Sequence, residues 1–347
     1  MAHTDSPVVH LLQQLMAIPS VSEDEYEIGQ FLAQYLSARG YTVELIPIDS
    51  SGRRNNVYAY LGRDRQARTC LTSHMDTVPP HIEWRLDGDI IYGRGACDDK
   101  GPLAAQIVAA EELRAEGLLQ PGDTSLLFVV GEEKGGPGML AANDMNLSWE
   151  AIVFGEPTEG KLAVGHKGHY VFELYAQGVA CHSGYPEQGY SATATLVALL
   201  DELQSLQYPV STLLGPTTFN CGKVQGGMAY NVLAADAYAL CGIRVAADLP
   251  DIEQLVQHTV AKYPNVTLKK NFAYPETLLD HEVEGLEAMP VSFGTDIPRL
   301  RGNHKRYLYG PGSILHAHGE NEQVAIPDLI RCVQVYKQLV KMSLGIK

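Results

Sequence analysis

Apolar residues in the first half of the chain follow two patterns, one with helical spacing and one made of short continuous runs. Helical spacing predicts helices over 23–40 and 101–117, each ending at a glycine. The short runs predict strands, namely YTVELIPI, NVYAYLG, TCLTSH, SLLFVVG and AIVFGEP. Some of these strands are apolar throughout, which is typical of a sheet that helices cover on both faces. The first half therefore predicts an α/β domain.

The pattern changes in the middle third of the chain. Residues 168–178 alternate between apolar and polar positions, and the segments that follow predict a helix, two strands, a helix and a strand. The resulting order, β-α-β-β-α-β, is typical of a ferredoxin-like α+β unit. We therefore predict an inserted domain over 167–274, within a first domain made of 1–166 and 275–347.

Composition and charge narrow the function classes. The chain has 347 residues, enough for two domains, and its formal net charge of −15 argues against nucleic acids and anionic membranes as partners. No apolar run approaches the ~20 residues of a membrane span, and the N-terminus lacks the pattern of a signal peptide. The six cysteines are scattered without a Cys-x-x-Cys pair, which is typical of reduced thiols. We therefore predict a cytoplasmic protein.

Polar residues with metal-binding or acid–base chemistry directly follow three of the predicted strands. His74 and Asp76 follow TCLTS, Glu132 and Glu133 follow SLLFVVG, and Glu156 follows AIVFG. In open α/β sheets, functional sites gather beyond the carboxyl ends of the strands. We therefore expect these side chains to meet at one edge of the sheet.

Two loops add further candidate ligands. Asp98 and Asp99 lie in the glycine-rich loop YGRGACDDKG, and His316 and His318 lie in LHAHGENE. Taken singly, each carboxylate could cap a helix and each histidine could be a packing or surface residue. Taken together, carboxylates with a few imidazoles suit one or two divalent metals such as zinc.

The full set of motifs resembles a known enzyme family. The motifs are SHMDTVPP, YGRGACDDKGPLAA, VVGEEKGG, FGEPTE, CHSG, FGTD, YGPG and AHGENE. In this order they resemble the co-catalytic zinc amidohydrolases and exopeptidases, which include acetylornithine deacetylase, succinyl-diaminopimelate desuccinylase, aminoacylase and the glutamate carboxypeptidases. The resemblance implies a zinc-exopeptidase-like catalytic domain, with a mixed sheet flanked by helices. It also implies that the inserted domain is a lid through which a homodimer forms.

The resemblance further implies two zinc ions, for which cobalt or manganese could substitute. The implied ligands are His74 and Glu156 for the first metal, Glu133 and His318 for the second, and Asp98 as the carboxylate that bridges both. Asp99 ranks below Asp98 for the bridging position, and His316 is the alternative to His318. In such enzymes the peptide bond after the bridging aspartate is commonly cis.

Three catalytic roles come from the same resemblance. Glu132 is the expected general base, which takes a proton from water and passes it to the leaving nitrogen. Asp76 is expected to accept the second ring N–H of His74 and so to fix its tautomer and angle. His182, in CHSG, is expected to donate to the oxyanion, across the dimer in dimeric members. The alternative for His182 is a surface histidine on a loop.

Substrate recognition is expected to involve a free carboxylate. The segment NVLAADAYALCGIRV resembles the family segment whose asparagine and arginine help to hold a substrate carboxylate, which implies this role for Asn231 and Arg244, and a guanidinium group suits a carboxylate. The backbone amides of Gly310 and Gly312 could serve the same group. The expected reaction is hydrolysis of an amide bond in a small N-acyl amino acid or peptide, with a slight preference for an acetylornithine deacetylase-like deacylase over a carboxypeptidase or dipeptidase.

Two hypotheses from other functional classes compete with the metal-dependent amide hydrolase. A non-catalytic binding protein on the same scaffold would have lost the base or a ligand, whereas both are present here. A thiol enzyme would use Cys97 or Cys181, but Cys181 and His182 are adjacent in sequence, and adjacent residues rarely form a nucleophile–base pair.

Overall fold

A computed structural model describes residues 4–346 of the chain. It comprises two units. The first contains the chain up to Ala163 together with 279–289 and the residues from Thr295 onward, and the second contains Val164–Leu278 and Pro290–Gly294. The predicted insertion, 167–274, lies within the main segment of the second unit. It begins three residues after the start of that segment and ends four residues before its end. The short return of the chain through Pro290–Gly294 had no signal in the sequence.

A six-stranded mixed sheet forms the centre of the first unit. Its strands are β1 Thr42–Pro47, β2 Asn55–Tyr60, β3 Thr69–His74, β6 Thr124–Val129, β7 Ala151–Phe154 and β17 Lys305–Leu308. They lie side by side in the order β1-β2-β6-β3-β7-β17. The pairs β6–β3, β3–β7 and β7–β17 are parallel, whereas β1–β2 and β2–β6 are antiparallel. Strands β3, β6 and β7 are buried along their whole length, as expected for strands of a sheet that is covered on both faces.

Helices bury their apolar faces against this sheet. They are α1 Pro7–Met16, α2 Tyr26–Ser37, α3 Lys100–Ala115, α4 Pro137–Ala142 and α7 Ile326–Leu344. α1, α3 and α7 pack against one another, and α2 packs on β1 and β2. The predicted helices α2 and α3 are present with slightly different ends. α1 was not predicted, although Pro7 stands at its first turn and it buries an apolar stripe.

The second unit is the predicted ferredoxin-like unit. Its elements are β9 Gly168–Gln177, α5 Ala192–Ser205, β12 Thr218–Gly226, β13 Asp236–Val245, α6 Leu249–Ala261 and β14 Val266–Tyr274. The four strands form an antiparallel sheet in the order β12-β13-β9-β14. The inward positions of β9 and β13 join α5 and α6 in a separate apolar core. The predicted fold class is therefore confirmed.

Short strands complete the structure. They are β4 Arg85–Asp87, β5 Ile90–Tyr92 and β18 Gln323–Ala325 in one sheet, β15 Thr277–Leu278, β8 Leu162–His166 and β16 Ala288–Val291 in another, and the pair β10 Val210–Ser211 and β11 Gly215–Pro216. Pairing of β18 with β5 ties the segment after His318 to the segment before Asp98. Among residues 4–346, no helix is both long enough and apolar enough to cross a membrane.

Candidate metal centre

The strand order places the predicted ligands at one edge of the central sheet. β3 ends at His74, β6 ends three residues before Glu132, and β7 ends two residues before Glu156. Because β6, β3 and β7 are parallel neighbours, their carboxyl ends lie at the same edge. Close packing brings β7 and β3 together there, since a side chain on Gly155 would collide with the Ser73 hydroxyl.

Asp98 lies between two histidines. Its Oδ1 is 2.9 Å from Nε2 of His74, and its Oδ2 is 3.1 Å from Nε2 of His318. His318 Nε2 is also 2.9 Å from Oε1 of Glu133. The Asp98–Asp99 peptide bond is cis. This arrangement, with one carboxylate facing two imidazoles by its two oxygens, is what a metal-bridging aspartate requires.

The side chains at this edge carry the nitrogen and oxygen atoms that bind divalent metals, and three of them lie close enough together to hold an ion. Ligand atoms of His74, Asp98 and Glu133 all lie within 4.8 Å of one another. Hydrogen bonds to Asp98 and Glu133 raise the pKa of His318 to about 10. These carboxylates thus stabilise positive charge beside them, and a divalent cation bound by Asp98, Glu133 and neutral His318 would also supply positive charge.

Glu132 and Glu156 extend the acidic cluster. Burial raises the pKa of both carboxyl groups well above the usual range, and the nearby charge of Asp296 adds to the effect on Glu132 and that of Asp98 to the effect on Glu156. Asp296, in FGTD, lines the same small cavity as His74, Glu132 and Glu156, and burial raises its pKa to about 7. So many buried carboxylates repel one another unless a cation lies among them. The cluster therefore fits a metal centre.

Asp76 lies beside His74 with both its backbone and its carboxylate. The His74 Nδ1 lies 2.9 Å from the main-chain carbonyl of Asp76 and 3.6 Å from its carboxylate. The carboxylate also accepts hydrogen bonds from the Ser22 hydroxyl and from the backbone N–H groups of Glu132 and Glu133, at 2.7, 3.0 and 3.3 Å. The predicted role of the carboxylate in orienting His74 stays a prediction. The structure adds two contacts that the sequence did not indicate, one from the Asp76 carbonyl to the ring and one from its carboxylate to the turn that carries Glu132 and Glu133.

For two of the predicted metal ligands the sequence left two candidate residues each, and the structure distinguishes between them. His316 lies 3.3 Å from the Gln323 amide and lines another cavity, with Glu159 and Asp328, whereas His318 contacts Asp98. Asp99 is fully buried, and its Oδ2 accepts a hydrogen bond from the His74 backbone N–H at 3.2 Å. The geometry therefore favours His318 over His316 and Asp98 over Asp99 as ligands.

One predicted substrate contact is wrong. The Gly310 backbone N–H donates to the Thr158 hydroxyl at 3.0 Å, and the same hydroxyl lies within reach of the Gly310 carbonyl. That amide is therefore used within the fold and is not free to bind a substrate. The sequence could not show this, because Thr158 and Gly310 are far apart in the chain. The Gly312 amide stays a prediction.

The remaining candidates lie in the second unit. His182 is exposed, its Nδ1 accepts the Gly184 N–H at 3.1 Å, and the neighbouring Ser183 N–H donates to the Asn231 carbonyl at 3.0 Å. Arg244 lies on β13 directly opposite His169. Burial, together with the Arg244 charge, lowers the pKa of His169 to about 4. Arg244 therefore places a positive charge beside a neutral His169.

Cys97 is unsuited to nucleophilic chemistry. Burial and the charges of Glu322 and Asp98 raise the pKa of its thiol well above the ordinary value. A reactive cysteine needs the opposite environment, one that stabilises the thiolate. The Cys181 thiol lies 3.5 Å from the Tyr185 carbonyl, on the loop that carries His182.

Comparisons with known proteins find relatives along nearly the whole chain. A family model described as peptidase family M20/M25/M40 matches residues 70–342. A peptidase M20 domain-containing protein of Schizosaccharomyces pombe is 45% identical over 340 residues, covering 97% of this chain and 85% of that protein. A probable carboxypeptidase of Aspergillus clavatus is 40% identical over 378 residues, covering 98% and 89% of the two chains. A solved tripeptidase structure from Staphylococcus aureus shares the fold, with a TM-score of 0.82, 22% identity and 98% of each chain covered.

We expect His318→Ala to lower the zinc content of the purified protein from about two ions to about one, because a metal site that loses a ligand binds much more weakly. Zinc per chain, measured by elemental analysis after dialysis, checks this. His316→Ala is the matched control and should keep the wild-type content. The assignment would be wrong if His316→Ala lost zinc and His318→Ala kept it.

Proposed function

Because the chain belongs to peptidase family M20/M25/M40 and is a metal-dependent hydrolase of amide bonds, we propose that it cleaves the amide bond on the amino side of a residue with a free carboxylate. Removal of an acyl group from an N-acyl amino acid and release of a C-terminal residue from a short peptide are two forms of this reaction. The observation that carries the proposal is the Asp98 carboxylate, which lies between His74 and His318.

The proposed centre holds two zinc ions. His74 and Glu156 would bind one ion. Glu133 and His318 would bind the other ion, and Asp98 would bind both. When bound, zinc supplies Lewis acidity, which activates water and polarises the carbonyl of the substrate. The three carboxylates among these ligands carry a charge of −3, which suits two divalent cations and a hydroxide.

Glu132 is the proposed general base. Its backbone N–H is fixed by Asp76, and its carboxylate lines the same small cavity as His74 and Glu156. A carboxylate at this position can take a proton from the attacking water while a bond forms between the water oxygen and the carbonyl carbon. It then gives the proton to the leaving nitrogen as the C–N bond breaks, so that an acid and an amine are released.

The second unit supplies the proposed recognition groups. Arg244, with Asn231, would hold the substrate carboxylate, because a guanidinium group pairs well with a carboxylate. His182 would stabilise the oxyanion in the partner subunit of a homodimer. Gly312, which belongs to the first unit, would add a backbone donor for the carboxylate.

Exposed apolar side chains support dimerisation through the second unit. β12 is an edge strand of its sheet, and Val224 on that strand is 54% exposed. Just beyond the strand, Met228 and Tyr230 are almost fully exposed. An edge strand beside exposed apolar side chains is a typical surface for pairing with another chain.

The cytoplasmic location of the protein stays a prediction.

The names of the relatives favour one form of the reaction. A relative that is 40% identical over nearly the whole chain is named a probable carboxypeptidase. We therefore propose release of a C-terminal residue from a short peptide as the physiological form, with deacylation of N-acyl amino acids as the second candidate. Both use the same metal chemistry and the same carboxylate contact.

Glu132→Gln should retain both zinc ions while lowering kcat about 100-fold to 10,000-fold, the range in which a general base contributes. The amide cannot accept the proton, but the metal ligands are unchanged. Peptide or N-acyl amino acid hydrolysis and zinc content are measured on the same preparation. A variant with wild-type kcat would remove Glu132 from the mechanism.

A substrate panel with Arg244→Ala tests the recognition site. The panel contains dipeptides, tripeptides and N-acetyl amino acids, each with a free C-terminal carboxylate and as the matching carboxamide. We expect the wild-type enzyme to prefer the free acids, and Arg244→Ala to raise KM about 10-fold to 100-fold for them, the loss expected when a charged hydrogen bond of about 1.5–3 kcal/mol is removed. KM for the carboxamides should stay unchanged. Equal effects on both series would contradict a carboxylate contact.

A further inference from the structure

Two buried side chains behind the metal centre form an ion pair that the mechanism does not use. Arg94 and Glu322 are 2% and 0% exposed, and Nη1 of Arg94 lies 2.6 Å from Oε2 of Glu322. The pair is 228 residues apart in sequence. Such a pair costs desolvation energy, so its value depends on the further hydrogen bonds that its two ends make.

The Glu322 end holds the segment that carries Asp98. Oε1 of Glu322 accepts hydrogen bonds from the backbone N–H groups of Gly95, Cys97 and Asp98, at 2.9, 3.3 and 3.2 Å. In addition, the Glu322 carbonyl accepts the Gly93 N–H at 2.9 Å. One carboxylate therefore fixes the backbone of the loop up to the bridging aspartate.

The Arg94 end holds the segment that carries His318. Its Nη2 donates to the His318 carbonyl at 3.3 Å and its Nη1 to the Gly319 carbonyl at 3.2 Å, while Nε donates to the Pro80 carbonyl at 3.3 Å. His318 has a φ of +64°, a left-handed conformation that a residue with a side chain rarely adopts without support. The contact from Arg94 is made at the carbonyl of that residue.

We propose that Arg94 and Glu322 are positioning residues that set the distance between Asp98 and His318, and thereby the affinity for the metal that His318 binds. The inference rests on the proposed dinuclear centre. Arg94 touches neither substrate nor reacting atoms and acts through the His318 backbone. The other proposed metal would share Asp98, which Glu322 holds, but its remaining ligands would be His74 at the end of β3 and Glu156 after β7, away from the contacts that Arg94 makes.

The informative variant is Arg94→Lys. An ammonium group can still neutralise Glu322, so the fold and the Asp98 segment should be kept, but it lacks the planar fork that also reaches the carbonyls of His318 and Gly319. We expect two zinc ions to bind to the metal-free protein, one with wild-type affinity and one about 10-fold to 100-fold more weakly, in competition titrations with a chromogenic chelator. The unfolding midpoint of the metal-free variant should stay close to that of the wild type.

Two comparisons make the result specific. Arg68→Lys is the control, because Arg68 makes a two-contact ion pair with Glu150 at 2.8 and 2.9 Å on the exposed surface, and its zinc affinities should not change. In a His318→Ala background, Arg94→Lys should have no further effect on zinc binding, since its action passes through His318.

Three results would overturn the inference: wild-type affinity for both ions in Arg94→Lys, equal weakening of both ions, or an additive loss in the His318→Ala background. Wild-type protein that binds fewer than two zinc ions would instead overturn the proposed dinuclear centre. The failure of the inference and the failure of the proposed function are therefore distinguishable.

Discussion

The repulsion among buried carboxylates at one edge of the central sheet is the constraint on which the structure depends. Asp98, Glu132, Glu156 and Asp296 are withdrawn from water around His74, and the pKa values of the last three rise as a result. Such a cluster is unfavourable without compensating positive charge. Arg299 supplies part of that charge, because its Nε lies 3.3 Å from Oδ1 of Asp296, and divalent metals would supply the rest. Stability and chemistry therefore depend on the same electrostatic balance.

The acidic residues near the centre divide into two groups. One group points its carboxylates at the expected metal positions. The other accepts hydrogen bonds from the backbone of the segments that carry the first group. Asp76 holds the Glu132–Glu133 turn, Asp99 holds the backbone of His74, and Glu322 holds the loop up to Asp98. Because each anchor fixes main chain rather than a side-chain tip, the ligands are placed by the fold before any metal binds.

Much of the fold and of the candidate site could be predicted from the sequence, because these features depend on local patterns of apolar and polar residues. Buried strands read as apolar runs, the alternation in β9 revealed the ferredoxin-like unit, and polar residues after strands marked the site. What could not be predicted depends on which atoms meet across long separations in the chain. The Asp76 carbonyl is the atom nearest to the His74 Nδ1, the Gly310 N–H donates to the Thr158 hydroxyl, and Arg94 pairs with Glu322. A motif identifies a residue type, whereas these contacts follow from the packing of several elements.

The central claim is that Asp98 bridges two metals held between His74 and His318. X-ray diffraction at the zinc absorption edge, on crystals grown with zinc, tests it most directly. The account predicts two anomalous peaks about 3.5–4 Å apart, the separation typical of two-metal hydrolase sites, with one Asp98 oxygen on each. A single peak, or two peaks that do not share Asp98, would contradict it.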